Sequence, residues 1–85
     1  MTISTGTVID LNKQRGYILM QIDEGDFVVF ELLSGIDIAV GDRIGGNLDG
    51  LGGETLIHIS QKEKFDAFGQ TGPSSLVACE RIFYS

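Results

Sequence analysis

Short apolar segments alternate with clusters of glycine and polar residues along the first sixty positions of the chain. This pattern predicts five strands, at about residues 3–11, 17–22, 27–33, 43–49 and 55–60. The first two connections are short, so the first three strands should pair as an antiparallel sheet. Residues 34–42 form a longer loop in this interpretation, with room for one short helical turn. We therefore predict an all-β fold, a small five-stranded antiparallel barrel.

The second predicted strand indicates which side of the sheet faces the core. Alternation divides it into two faces, Ile18, Met20 and Ile22 against Tyr17, Leu19 and Gln21. The first set is purely aliphatic and is the better core candidate, which leaves the second set on an unusually apolar outer face. In the third strand, residues 27–30 are all apolar, so alternation assigns no polar side there.

Residues 61–85 differ from the part before them. Residues 61–73 are mostly polar, with two phenylalanines, whereas the last twelve positions place apolar residues at helical spacing. That apolar set is Leu76, Cys79, Ile82 and Phe83. Residues 72–75 (GPSS) are suited to start a helix, so we favour a short C-terminal helix over an extra strand. The expected organisation is a barrel over residues 1–60 and a C-terminal extension, residues 61–85, that packs on the same domain.

The charge balance argues against a generally basic binding surface. The 85 residues include twelve acidic and six basic side chains, which gives a formal net charge of −6. Surfaces that bind nucleic acid or anionic membranes are usually basic, although a local basic patch is compatible with an acidic protein. The N-terminal residues lack a basic segment followed by an apolar run, and no apolar run is long enough to cross a bilayer. We expect a cytoplasmic protein that makes no membrane contact.

No catalytic, metal or cofactor site is predicted. Cys79 is the only cysteine, which excludes an internal disulfide, and its apolar setting suggests a small buried hydrophobe. His58 lies among leucine and isoleucine, which favours a structural or surface residue over a metal ligand or catalytic base. Ser60 would lie roughly 7 Å away along the same strand face, without a nucleophile-elbow motif. The glycine-rich run at residues 45–54 lacks the acidic ligands of a calcium loop and predicts a hairpin turn.

The order of several short motifs resembles the cold-shock domain family. The shared frame is Gly6-Thr7-Val8, Asn12, Arg15-Gly16-Tyr17, Asp26 at the start of the third strand, and Gly41-Asp42 before the fourth. The resemblance spans about residues 5–60 and implies an OB-fold barrel that binds single-stranded RNA or DNA. Residues 61–85 have no counterpart in a minimal member of the family.

The resemblance also indicates where the chain departs from the family. Position by position, the family's base-stacking platform would fall on Asp10, Tyr17, Leu19, Val28 and Phe30. Only two of these are aromatic, and each stacked base contributes roughly 1–3 kcal/mol, so binding should be weak or altered. The resemblance leaves four nucleic-acid-binding candidates, Lys13, Arg15, Tyr17 and Phe30.

Protein contact is the alternative prediction. Leu11, Leu19 and Val28 would form an apolar face, and exposed faces of this kind mark sites of protein contact. Either a partner protein, including a second copy in a homodimer, or the C-terminal extension would cover such a face. Phenylalanines suitable for covering it are Phe65, Phe68 and Phe83.

Overall fold

A computed structural model of the chain describes residues 3–84, and within them it contains six strands and one helix. They are β1 (Ser4–Asn12), β2 (Tyr17–Ile22), β3 (Phe27–Leu32), β4 (Arg43–Gly46), β5 (Gly52–His58), β6 (Glu63–Gly69) and α1 (Leu76–Phe83). The strands close an antiparallel barrel in the order β1-β2-β3-β6-β5-β4. The predicted fold class is therefore confirmed, except that the barrel has six strands instead of five. No helix within residues 3–84 is long and apolar enough to cross a membrane.

Strand β6 was not predicted from the sequence. Phe65, Ala67 and Gly69 are buried, and the residues between them are exposed. β6 pairs with β5 along its whole length and with β3 at its C-terminal end, so it closes the barrel. The predicted division at residue 60 thus falls before a barrel strand, and only the chain after Gly69 extends beyond the barrel.

One hydrophobic cluster fills the barrel interior. Its buried members are Val8, Ile18, Met20, Ile22, Val28, Phe30, Ile44, Leu48, Leu56, Phe65 and Ala67. The inward face of β2 is as predicted, but the outward placement of Val28 and Phe30 is wrong. Because paired residues in a sheet share a face, the register that pairs Met20 with Val28 and Ile18 with Phe30 turns both β3 side chains inward.

An exposed ion pair connects three parts of the barrel wall. Arg43 of β4 donates to both carboxylate oxygens of Asp23 in the β2–β3 turn, at 2.9 and 2.8 Å, and to Thr7 Oγ1 of β1 at 3.0 Å. Hydrogen bonds from Arg43 and Thr5 lower the pKa of Asp23 from 3.8 to about 2. A carboxyl whose pKa falls on folding stabilises the fold above its unfolded pKa, and this contribution is lost as the pH falls to about 2.

Helix α1 begins where the sequence predicted. The Ser75 hydroxyl accepts a hydrogen bond from the Ala78 N–H at 3.2 Å and so caps one of the unpaired donors of the first turn. Of the apolar face predicted for this helix, Cys79 and Phe83 are buried. The outer members Leu76 and Ile82 remain partly exposed.

Candidate binding face and its helical cover

The outer face of β1–β3 carries a second apolar cluster, separate from the barrel interior. Leu19 and Val29 are its buried strand residues, and Ile9, Tyr17 and Phe27 pack beside them partly buried. We call these five residues the platform. The β1–β2 register shifts between Val8 and Asp10, which leaves Ile9 as the extra residue of a bulge.

Helix α1 covers the platform. Cys79 and Phe83 complete the cluster, and both are 0% exposed. Burying a phenylalanine or similar side chain is worth roughly 1.5–3 kcal/mol, so this contact stabilises the docked helix. Among the three phenylalanines proposed as covering groups, only Phe83 serves in this way. Phe65 lies in the barrel interior, and Phe68 is 44% exposed on β6.

Two hydrogen bonds fasten the C-terminal end of α1 to β1. Asn12 Nδ2 donates to the Phe83 carbonyl at 2.6 Å, and the Tyr84 hydroxyl donates to Asp10 Oδ2 at 2.7 Å. Asp10 Oδ1 also accepts from the backbone N–H of Leu11 at 2.8 Å. Asp10 stands where the cold-shock domain family has a stacking aromatic. In this chain it therefore has a structural partner, Tyr84, in the C-terminal extension.

The segment before α1 is tied to the edge of β3. Phe27 and Ser74 exchange two backbone hydrogen bonds, each 2.9 Å long. Farther along, the Val29 N–H donates to Thr71 Oγ1 at 3.1 Å, and the Gln70 N–H donates to the Val29 carbonyl at 2.9 Å. These bonds continue the pairing of β3 beyond its contact with β6. The helical cover is thus held at both ends.

The hydrogen bond between Tyr84 and Asp10 makes the docking of α1 on the platform sensitive to alkaline pH. The hydrogen bond to the Asp10 carboxylate raises the pKa of Tyr84 above its ordinary value of 10.0. A pKa that rises on folding stabilises the fold below the unfolded pKa, and the contribution is lost above the folded one. We therefore expect tyrosinate absorbance to show a late titration that moves to lower pH in Asp10→Asn and disappears in Tyr84→Phe. An unchanged titration in Asp10→Asn would contradict this pairing.

The β1–β2 hairpin presents the two predicted cations. Lys13 and Arg15 are exposed in the turn at residues 13–16, where Gly16 adopts a positive φ of 71°. The Arg15 guanidinium carbon lies 5.4 Å from the ring centroid of Tyr17, a distance suited to a cation–π contact. Lys13, Arg15 and Tyr17 thus lie together at one end of the barrel, as the sequence suggested.

An open groove of about 740 Å³ runs between this hairpin and the end of α1. Its lining consists of Asp10, Leu11, Asn12, Lys13, Gln14, Arg15 and Tyr84. Tyr84 is 61% exposed and packs edge-on against Phe83, with ring centroids 4.9 Å apart and planes at 79°. Tyr84 was not predicted as part of this surface, because only the folded chain brings it beside residues 13–15.

Among the other predicted site residues, Leu11 borders this groove, whereas Leu19, Val28 and Phe30 do not reach it. Phe30 and Val28 are fully buried in the barrel interior, and Leu19 lies beneath α1. Leu11 is partly buried and packs against the interior cluster. Phe30 therefore offers no ring to a base in this conformation, and the three aliphatic residues proposed for protein contact do not form one open face.

His58 is buried in a hydrogen-bonded network at the start of the β5–β6 turn. Its Nε2 lies 2.7 Å from Asp42 Oδ2, and its Nδ1 accepts from the Gln61 N–H at 3.2 Å. Ser60 Oγ is 3.3 Å from the same Nδ1, so the predicted separation of about 7 Å is wrong. β5 ends at His58, and the chain then turns back.

These contacts give the ring a structural role. The backbone N–H on Nδ1 favours the tautomer that carries its hydrogen on Nε2 and donates it to Asp42. That bond lowers the pKa of Asp42 and joins the β5–β6 turn to the loop before β4. The Nδ1 lone pair that would activate Ser60 is already used by the backbone.

Comparisons with known proteins do not point to a function, so the function has to be inferred from the geometry of the chain. No protein-family model matches the chain, and neither a curated protein nor a solved structure matches it. The similarity to cold-shock domains therefore stays a prediction from the sequence.

Proposed function

We propose that the protein is a non-enzymatic, cold-shock-like binding module that binds single-stranded RNA or DNA weakly at the hairpin end of the barrel. The observation that carries the proposal is that Lys13, Arg15 and Tyr84 line one open groove, with Tyr17 next to Arg15. Cations that contact phosphate and aromatic rings that stack on bases are the two components of single-strand binding sites.

Two features restrict this binding to a short stretch of nucleic acid. The platform lies under α1, so bases have no access to Leu19 or Val29 in this conformation. Asp10 lines the same groove as the cations, on a chain with a net charge of −6. We therefore expect contact with about two phosphates and one or two bases, and an affinity well below that of a fully aromatic site.

Titration of the isotope-labelled chain with a mixed-sequence single-stranded oligonucleotide tests the proposal. We expect NMR shifts at Lys13, Arg15 and Tyr84, and a fall of log K with log salt at a slope of about −1.4 for two neutralised phosphates. Arg15→Glu should abolish the shifts. Lys64→Glu, which makes the same charge change on β6, is the matched control and should leave them in place. The absence of shifts at millimolar oligonucleotide would contradict the proposal.

The proposal includes a cytoplasmic location and the absence of catalysis. The single cysteine is buried and unpaired, which suits a reducing compartment. The occupied lone pair of His58 supports a binding module over a hydrolase. Protein contact through Leu11, Leu19 and Val28 gains no support, because these side chains are buried or partly buried in two different clusters.

A further inference from the structure

The outer face of β4, β5 and β6 carries an apolar groove that the proposed nucleic-acid site does not use. The groove has a volume of about 430 Å³, and its lining includes Ile3, Thr5, Gly45, Ile57, Ile59 and Lys64. Ile3 and Ile59 are 74% and 40% exposed. Gly45 has no side chain, and its neighbours Thr5, Ile57 and Ile59 close over it, since a Cβ at this position would lie 3.3 Å from Ile57 Cγ2.

Strand register arranges this face in two rows that end in opposite charges. Thr5 pairs with Gly45, Gly45 with Ile57, and Ile57 with Lys64. We call these four residues the Lys64 row.

Two residues farther along the strands, Thr55 pairs with Asp66, and Ile3 borders the same adjoining cavity as both. We call these three residues the Asp66 row. The Thr55 hydroxyl donates to Asp66 Oδ1 at 3.2 Å, which orients the carboxylate. Between the two rows, Leu56 and Phe65 point into the barrel.

We propose that this face binds a second copy of the chain about a twofold axis. An axis that crosses the strands at the level of Leu56 and Phe65 places the Lys64 row of each copy over the Asp66 row of the other. Lys64 then faces Asp66 of the second copy, and the same pair forms twice. Ile57 of each copy lies over Thr55 of the other, in sheets packed about 10 Å apart.

The charge pattern favours a second copy over a partner of one dominant charge. The two rows carry one lysine and one aspartate, and Glu54 also lines the adjoining cavity, so the face combines two acids with one base and offers no strong field of a single sign to a highly charged partner. Lys64 and Asp66 lie two residues apart on β6, so a reversed copy of the strand places each of these charges opposite the unlike charge. Self-complementarity of this kind is what an isologous interface requires.

Sedimentation equilibrium of the full chain, from micromolar to millimolar concentration, tests this dimer. We expect a monomer–dimer equilibrium that weakens at high salt, where charges are screened. Lys64→Asp and Asp66→Lys each replace two attractive contacts with two repulsive ones, and each should raise the dimer Kd about tenfold. The double variant K64D/D66K exchanges the charges and should restore the original Kd.

Lys13→Glu changes a charge in the proposed nucleic-acid site and should leave dimerisation unchanged. Lys64 and Asp66 are both exposed, and circular dichroism would confirm that the single variants fold. A chain that stays monomeric throughout the concentration range would overturn the proposal, as would a dimer that both single variants leave intact. So would a double variant that remains as weak as the single ones, because the two residues would then not face each other.

Discussion

Replacing Phe83 by alanine is expected to lower the free energy of unfolding by about 3–5 kcal/mol. The ring is fully buried against the platform, and the shortened side chain would leave a cavity between α1 and the sheet. Small domains have a total stability of roughly 5–15 kcal/mol, so the loss is a large fraction of the whole. Urea denaturation measures the change. Because the helix would then dock poorly, binding of the dye ANS to the exposed platform should rise.

Val77→Ala is the matched control for this prediction. Val77 lies on the same helix but is 62% exposed, so its truncation should change stability by no more than about 0.5 kcal/mol. Equal effects of the two substitutions would mean that Phe83 is not an anchor. A chain truncated after Gly72 should keep the barrel strands and bind ANS. Truncation after Ser60 would instead remove β6 and open the barrel.

Replacing His58 by alanine is expected to cost about 3 kcal/mol. The substitution removes a side chain that is 1% exposed and leaves the Gln61 N–H and the Asp42 carboxylate without their bonds to the ring. Asp42 is partly exposed and Gln61 is exposed, so water can replace their bonds. Most of the loss comes from the cavity that the buried ring leaves, since truncating a large core side chain to alanine costs roughly 2–5 kcal/mol. Thermal or urea unfolding of the purified variant measures the loss.

Ser60→Ala tests whether the Ser60 hydroxyl contributes to the stabilising network around His58. Ser60 is exposed, and its hydroxyl lies 3.3 Å from a ring nitrogen that already accepts a backbone hydrogen bond. Its removal should change stability by no more than about 0.5 kcal/mol. A destabilisation as large as that of His58→Ala would contradict the assignment of the network to the Asp42 and Gln61 contacts.

The faces of β2 and β3 show what alternation can and cannot predict. Gln21 marks the outer side of β2, so the inward positions of Ile18 and Met20 followed from the sequence. Residues 27–30 contain no such polar marker. Their faces are decided by the pairing of Met20 with Val28, a contact between strands that no local pattern encodes. The resemblance, carried over position by position, placed Val28 and Phe30 on the outer side, where the structure has Phe27 and Val29 instead.

The tail was predicted in part. The apolar spacing and the serine at position 75 were sufficient to predict α1. β6 has a clear period of two, with Phe65, Ala67 and Gly69 inward, but the exposed Phe68 and the charged residues around it obscured the alternation. The number of apolar residues in this segment does not indicate a strand. The alternation of buried and exposed positions does.

The candidate site was likewise predicted only in part. Lys13, Arg15 and Tyr17 are close in sequence, so a hairpin prediction brings them together. The bond between Asp10 and Tyr84 joins residues that are 74 positions apart. No sequence pattern couples them, and the role of the acid at position 10 emerges only when α1 is docked on the sheet.

Helix α1 lies on the platform, and we propose that it thereby confines nucleic acid to the hairpin end of the barrel. The most direct test is a nuclear Overhauser experiment on the full chain. We expect strong cross-peaks from the Phe83 ring to the methyl groups of Leu19 and Val29, which are buried in the same cluster. If these cross-peaks were absent and the α1 amides exchanged with solvent as in an unfolded segment, the platform would be open to bases and the proposed confinement of nucleic acid would be wrong.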